Sequence, residues 1–208
     1  MDKILNISKN PILIKNVSNR INTDIVCETI SNLEYTNNQS NKISVDLNVF
    51  NNELLGDLGE VVKEESVNYL RNFWMHDPNF TFEDLQITQS WANISVKNEH
   101  HHCHEHPFSV VSGVIFLDDT IENLNLTFEM PGPEIPYWKG KTQYHVSLKD
   151  MIGLENNLQY HLVLFLSNTR HMVQTLQSEN KRHSISFNTF WKGKVGDMDP
   201  SHLVYLEL

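Results

Sequence analysis

One stretch decides both the fold and the chemistry expected of this chain: residues 99–117, which read EHHHCHEHPFSVVSGVIFL. Its second half, residues 110–117, is a short apolar run with the length and composition of a buried β-strand. Asp118 and Asp119 follow as turn residues. Its first half contains five histidines. The stretch therefore predicts a β-strand that is preceded by a candidate metal-binding segment.

Further segments rich in β-forming residues lie on both sides of this strand. Turn signals such as Pro131-Gly132-Pro133 separate them, and no helix is expected between them. The predicted strands cover residues 85–96, 110–117, 124–128, 144–148, 160–166, 183–191 and 203–208. Many short strands in series are typical of a sandwich or barrel. Residues 81–208 are therefore predicted to form a β core.

The first 80 residues are predicted to support one sheet of that core. They are read as a strand and turn over residues 1–17, a helix over 23–33 capped by Thr23, a polar loop over 36–42 and a helix over 52–75. The helix over residues 52–75 is the clearest of these predictions, because its apolar residues recur at helical spacing. We expect residues 1–208 to form a single domain.

Composition and charge exclude several classes of protein. The chain has 208 residues, of which 39% are hydrophobic and 20% charged, as in globular proteins. A net charge of −10 disfavours binding to nucleic acid and to anionic membrane surfaces. No signal peptide is evident, and no apolar run approaches the ~20 residues of a membrane span. The two cysteines, Cys27 and Cys103, are too few for a disulfide framework. A cytoplasmic protein is therefore expected.

The histidine cluster has the spacing of metal ligands. Side chains alternate along an extended chain, so His100, His102, His104 and His106 are expected to share one face. Two histidines at positions i and i+2 can hold one cation, and neutral imidazole binds iron(II), zinc, copper and nickel. A third ligand must come from elsewhere, and His171 is the best candidate because it follows a strong apolar strand. A solvated loop that binds metal without purpose is the alternative interpretation.

A basic residue opens a later strand, in the sequence Arg182-His183-Ser184-Ile185-Ser186. A guanidinium matches a carboxylate in bidentate geometry, and Ser184 on the same strand face can donate one more hydrogen bond. An arginine that points into a β core needs an anion, either from the protein or from a ligand. A structural ion pair or a solvent-exposed arginine remains the alternative.

Three blocks resemble the 2OG-Fe(II) oxygenases common in marine bacteria and their phages. Residues 90–94, 104–107 and 112–117 resemble the first ligand block of that family, residues 164–171 its second ligand block, and residues 182–188 its cosubstrate block. Each block alone is weak, whereas their order and spacing between about residue 85 and residue 191 make the resemblance specific.

The resemblance implies a double-stranded β-helix (jelly roll, cupin-like) with N-terminal helices packed on one sheet. It implies that His104, His106 and His171 hold Fe(II) and that Arg182 anchors 2-oxoglutarate, with contacts from Ser184 and Asn93. The implied reaction is hydroxylation of an unidentified substrate, with conversion of 2-oxoglutarate and O2 to succinate and CO2. A homodimer is compatible with it, and a phage protein of this type would act in the host cytoplasm.

The chain departs from most 2OG oxygenases in its ligands. His106 stands where most have a carboxylate, which leaves more positive charge on the metal and allows another metal to compete. His102 with His104 forms a competing pair, and the Phe-Pro-Ser of the family is here Phe165-Leu166-Ser167. Two other classes stay open. One is a cupin-like three-histidine enzyme that does not use 2-oxoglutarate, and the other is a non-catalytic metal-binding module.

Several aromatic residues are candidates for the substrate side of the site or, as the alternative, for plain core. They are Trp91, Tyr137, Trp138 and Trp191. Residues 131–138 are a candidate lid over the mouth of the site.

Overall fold

The protein is built from two antiparallel β-sheets, with two helices packed against the larger sheet. The computed structural model describes residues 3–7, 10–73, 80–131, 143–153, 157–197 and 204–208. Its strands are β1 (Lys3–Ile7), β2 (Asn10–Asn16), β3 (Tyr35–Asn37), β4 (Lys42–Ser44), β5 (Phe80–Ser95), β6 (His101–His104), β7 (Val111–Phe116), β8 (Leu126–Pro131), β9 (Gln143–Ser147), β10 (His161–Leu166), β11 (His171–Val173), β12 (Arg182–Asp197) and β13 (Val204–Glu207). Its helices are α1 (Thr23–Ser31), α2 (Gly56–Phe73) and α3 (Leu148–Ile152).

The larger sheet has the strand order β1-β2-β10-β7-β12-β5-β4-β3, with β13 paired to β12. The smaller sheet has the order β6-β11-β8-β9. All the neighbouring strands pair in antiparallel fashion. From β5 to β8, and again from β9 to β12, consecutive strands alternate between the two sheets. The predicted mainly β core is confirmed.

The pleat of β12 sorts its side chains between two environments. Ile185 and Phe187 point toward the core that the larger sheet shares with α1 and α2. Arg182, Ser184 and Ser186 line the cavity on the opposite face. The alternation of apolar and polar residues along this strand thus corresponds to the face of the sheet on which each side chain lies.

The helices α1 and α2 cover the outer face of the larger sheet. α2 buries Leu58, Val62 and Leu70 in the same core as Leu85 of β5 and Leu164 of β10. The pattern of apolar residues along α2 explains this packing, because it places them on one face of the helix. No helix among the described residues is long and apolar enough to span a membrane.

Three details of the first half and the connections differ from the expectations. The α1 helix is capped by Asn22, whose side chain accepts a hydrogen bond from the Ile25 N–H, and not by Thr23. The polar stretch expected as a loop contributes the ends of a short hairpin, β3 and β4. A short helix, α3, follows β9 inside the half where no helix is expected, and Ser147 and Asp150 form its capping box.

Candidate metal centre and cosubstrate pocket

Two strands of the smaller sheet bring the predicted metal ligands together. His104 ends β6 and pairs directly with His171, the first residue of β11. His106 follows β6, and its backbone N–H donates to the Ser167 carbonyl at 2.9 Å. One ligand nitrogen from each of the three imidazoles lies within 4.8 Å of the other two. The three side chains can therefore reach one metal ion.

Hydrogen bonds to the backbone orient two of these imidazoles. Nδ1 of His104 lies 2.9 Å from the His102 carbonyl, and Nδ1 of His171 lies 2.9 Å from the Thr169 carbonyl. A carbonyl can only accept, so each Nδ1 carries the proton and each Nε2 keeps a free lone pair. This is the arrangement in which a histidine coordinates a metal through Nε2.

Burial keeps the three imidazoles neutral. His171 is only 6% exposed, and burial holds its pKa well below the ordinary value. Burial also lowers the pKa of His106, to about 4, and that of His104. Neutral imidazole is the form that binds a metal. The donor set therefore fits a divalent first-row metal ion.

A β-bulge changes which histidines face the cavity. His104 pairs with His171, but His101 pairs with Val173, so β6 has one more residue than β11 between these pairs. His101 and His104 both line the cavity, and the His102 side chain is exposed. The expectation that alternate histidines share one face is therefore wrong for this segment, because the bulge interrupts the alternation.

Arg182 lies at another part of the same cavity and is 5% exposed. Its guanidinium donates to the Ser95 hydroxyl and to the Glu122 carbonyl, both at 3.3 Å. Among the described residues it forms no ion pair, although Glu122 and Asp118 act on it electrostatically. Burial lowers the pKa of Arg182 to about 10. A buried cation of this kind requires an anion, and the cavity leaves room for one from a ligand.

The other predicted contact residues also line this cavity. Ser184 lies next to Asn93 across the β12–β5 ladder, and Asn93 donates to the Ser186 hydroxyl at 3.1 Å. The Trp91 ring lies 5.9 Å from that of His106, which places it beside the metal ligands. Trp191, in contrast, packs against Phe82 in a different part of the sheet.

Part of the predicted substrate side lies outside the described residues. Tyr137 and Trp138 belong to that part, as does the predicted lid beyond Pro131. Within the described residues, the sequence does not single out three cavity residues: Asn41, Ser95 and His101. A polar residue immediately before β4 and a serine at the end of β5 cannot be recognised as site residues from the sequence, because only the pairing of the strands places them at the cavity.

A second cluster lies outside this cavity. Cys103, Glu129 and His145 have donor atoms within 4.8 Å of one another. The Arg170 guanidinium already donates to Glu129 at 2.7 Å and to the Cys103 sulfur at 3.7 Å. This guanidinium supplies the positive charge that a metal ion would supply, so the cluster is an internal ion pair. Cys103 and Cys27 are both free thiols.

Residues 89–188 match a family model described as "Putative 2OG-Fe(II) oxygenase". This segment is similar to the 2OG-Fe(II) oxygenase family. It contains the three histidines, Arg182, Ser184 and Asn93, and it accounts for most of the strands around the cavity. The predicted family and enzyme class are therefore confirmed, and with them the expected use of a metal ion and 2-oxoglutarate. No curated protein matches the sequence of the chain.

Solved structures share the fold of this chain at low identity. An oxidoreductase of the 2OG-Fe(II) oxygenase family from Burkholderia pseudomallei is 13% identical, with a TM-score of 0.57, and the match covers 86% of this chain and 84% of that one. A prolyl-4-hydroxylase from Pseudomonas putida is 12% identical, with a TM-score of 0.52 and coverage of 86% and 93%. HygX from Streptomyces hygroscopicus, solved with nickel and 2-oxoglutarate, is 7% identical, with a TM-score of 0.55 and coverage of 86% and 82%. The predicted double-stranded β-helix is confirmed.

Proposed function

We propose that this protein is an Fe(II)- and 2-oxoglutarate-dependent oxygenase that hydroxylates a small or peptidic substrate beside His104, His106 and His171. The proposal rests mainly on the contents of one cavity. A buried arginine without an ion-pair partner among the described residues shares a cavity with three neutral, clustered imidazoles. A metal site and a carboxylate site in one cavity fit a small acid that bridges them.

His104, His106 and His171 would hold the metal ion, the first and last of them through Nε2. When bound, the metal ion supplies the oxidation chemistry together with 2-oxoglutarate and O2. The protein fixes the tautomers of His104 and His171 before the metal arrives, through the two backbone carbonyls. The ligands are therefore oriented in advance, and little reorganisation accompanies binding.

The three ligands are all neutral, and this affects what the site attracts. A His-His-carboxylate site would cancel one positive charge of the metal, whereas three histidines cancel none. The metal and Arg182 then present three positive charges to the ligand. A doubly negative cosubstrate such as 2-oxoglutarate neutralises most of that charge, which favours its binding in the cavity.

Arg182 would bind the far carboxylate of 2-oxoglutarate, and the Ser184 hydroxyl would donate a second hydrogen bond. The cavity walls on either side are apolar, with Phe116, Leu126 and Phe165 among them. These side chains exclude water from the ion pair, which strengthens it. Asn93 donates to Ser186 and so orders the polar wall beside Ser184.

The substrate would enter on the side of Trp91, whose half-buried ring lies beside His106. The net charge of −10 disfavours nucleic acid and anionic membrane surfaces as partners. A homodimer is compatible with the proposal, and the cytoplasm is the compartment that we propose for the reaction.

An anaerobic titration of the Fe(II)-loaded protein with 2-oxoglutarate tests the proposal. A visible charge-transfer band is expected in the wild type, and Arg182→Ala should weaken the binding that produces it. Lys181→Ala is the matched control, since Lys181 is the exposed neighbour of Arg182. On admission of air the wild type should form succinate. A three-histidine enzyme of another type would bind metal but show no response to 2-oxoglutarate, and a binding module would form no succinate.

A further inference from the structure

Asn41 has a buried side-chain oxygen that accepts no hydrogen bond from the part of the chain that the structure describes. It lies immediately before β4, is 6% exposed, and lines the same cavity as Arg182. This atom, Oδ1, is one of the few buried side-chain polar atoms without a partner among the described residues. An unpaired buried amide costs free energy, so its persistence in a ligand cavity calls for a partner from outside the protein.

The strand register places Asn41 at the Arg182 end of the cavity. Lys42 pairs with Ile94 across the β4–β5 ladder, so the preceding residue, Asn41, stands opposite Ser95. Ser95 in turn pairs with Arg182 across the β5–β12 ladder and accepts a hydrogen bond from its guanidinium. Residues paired in this way point to the same face of a sheet. Asn41, Ser95 and Arg182 therefore form one buried polar row.

The segment that carries Asn41 is attached to the segment that carries the metal ligands. The Ser40 carbonyl accepts a hydrogen bond from the His100 backbone N–H, and the Ser40 hydroxyl lies 3.3 Å from the His100 ring. The next residues, Asn41 and His101, both line the cavity. The position of Asn41 is thus fixed from two sides, by β5 and by the start of β6.

We infer that Asn41 is a binding residue for the carboxylate that Arg182 holds, an inference that rests on the proposed function. In this role the amide Nδ2 would donate to a carboxylate oxygen, and Oδ1 would accept from a guanidinium N–H group that makes no hydrogen bond to the described residues. Asn41 lies outside residues 89–188, so this contact comes from the N-terminal part of the chain and not from the family segment.

Asn41 should affect the binding of the far carboxylate of 2-oxoglutarate but not the binding of its 2-oxo acid end. A hydrogen bond to a charged group contributes enough that its loss weakens binding by roughly 10- to 100-fold. Only ligands with a far carboxylate should bind more weakly when the Asn41 amide is removed. A ligand with the same 2-oxo acid end but a methyl group in place of that carboxylate, such as 2-oxopentanoate, should bind equally well with and without the Asn41 amide.

Asn41→Leu removes the amide and keeps the branched shape, and Asn37→Leu makes the same change at an exposed position of the same hairpin. The protein is loaded with Mn(II), and the affinities for 2-oxoglutarate and 2-oxopentanoate are measured by calorimetry. We expect Asn41→Leu to weaken 2-oxoglutarate binding by roughly 10- to 100-fold and to leave 2-oxopentanoate binding within about twofold of the wild type. Asn41→Asp should weaken 2-oxoglutarate binding further, because its carboxylate repels that of the ligand.

Stability provides a second readout. The ligand-free Asn41→Leu protein should melt at or above the wild-type temperature, because the change removes an unsatisfied polar group. A fall of several degrees would give Asn41 a structural role and overturn the inference, as would equal losses for the two ligands. If Arg182→Ala weakens 2-oxoglutarate binding and Asn41→Leu does not, the inference about Asn41 fails alone. If the wild type does not bind 2-oxoglutarate, both proposals fail.

Discussion

His104 and His171 face each other across the β6–β11 ladder, with their ring centroids 4.4 Å apart. Each Nδ1 donates to a backbone carbonyl two residues earlier in its own strand or turn. The two rings therefore have the same tautomer and present Nε2 into the same space. His106 completes the cluster, with its ring 4.8 Å from that of His104 and 5.1 Å from that of His171.

This geometry predicts which histidines a metal ion requires. His104→Ala, His106→Ala and His171→Ala should each weaken Ni(II) or Mn(II) binding by at least about 100-fold, since even changes behind a metal ligand cost 10- to 100-fold. His102→Ala is the control, because its exposed side chain lies outside the cluster. Calorimetric titration of the four variants checks this. Strong loss of binding in His102→Ala would instead favour the pair formed by His102 and His104.

The sequence could indicate His104, His106, His171 and Arg182 because each carries an unusual side chain in a strand context. Their roles remain predictions that the variants above test. His101 could not be predicted to face the cavity, because the alternation rule holds only while two strands keep their register, and the bulge in β6 breaks it.

Asn41 and Ser95 escaped prediction for a different reason. Each is an ordinary polar residue, and only the pairing of β4 with β5 and of β5 with β12 places them in a row with Arg182. Such pairings depend on contacts between residues that are distant in the chain. The helix cap shows the same limit at short range, since Asn22 and Thr23 are both good capping residues and the backbone selects Asn22.

Gly113 is required by the packing of the larger sheet. A Cβ at this position would lie 2.6 Å from Cζ of Phe187 and 2.7 Å from Cδ2 of Leu164. Both neighbours are fully buried, so they cannot move away freely. We expect Gly113→Ala to destabilise the fold by about 1–3 kcal/mol, as overpacking of a core does. Urea denaturation measures the change in the free energy of unfolding.

Gly56→Ala is the control for that experiment. Gly56 begins α2, and a Cβ there would meet nothing within 4 Å. Alanine restricts the unfolded chain more than glycine does, so this variant should be as stable as the wild type or more stable by up to about 1 kcal/mol. Combining Gly113→Ala with Phe187→Leu should recover part of the lost stability. If Gly113→Ala unfolds like the wild type, the close approach of β7 to Phe187 is not a constraint.

Glu65 connects α2 to the N-terminal part of the chain. It is 3% exposed, and its carboxylate accepts hydrogen bonds from Lys15 of β2 and from Arg20. Glu65→Ala would leave two partly buried cations without this partner, and we expect a loss of about 2–3 kcal/mol in unfolding free energy. Glu64→Ala is the control, because Glu64 is exposed and, among the described residues, forms an ion pair with Arg20 alone. Surface ion pairs contribute about 0–1 kcal/mol. Equal losses in the two variants would contradict the prediction.

Arg182 should lower the stability of the ligand-free protein, because its buried charge is compensated only when a ligand binds. Burial lowers its pKa to about 10, so the charged form is less favourable in the folded chain than in the unfolded chain. A cation with a depressed folded pKa destabilises the fold at every pH below that value, and the cost falls only as the pH rises above about 10. Arg182→Met removes the charge and retains most of the apolar volume. We therefore expect the ligand-free variant to be more stable than the wild type by about 1–3 kcal/mol at neutral pH.

When 2-oxoglutarate is present, the order of stability should reverse, and the wild type should be more stable than Arg182→Met. Saturating 2-oxoglutarate stabilises a protein that binds it and has no effect on one that does not. The unfolding temperature of the metal-loaded protein should therefore rise with 2-oxoglutarate in the wild type and rise much less in Arg182→Met, whereas Lys181→Met should behave as the wild type. If Arg182→Met were instead less stable without ligand, the guanidinium would have to be satisfied within the protein. Its hydrogen bonds to Ser95 and Glu122 would then explain its burial. The proposal that Arg182 binds a ligand carboxylate would lose its main argument.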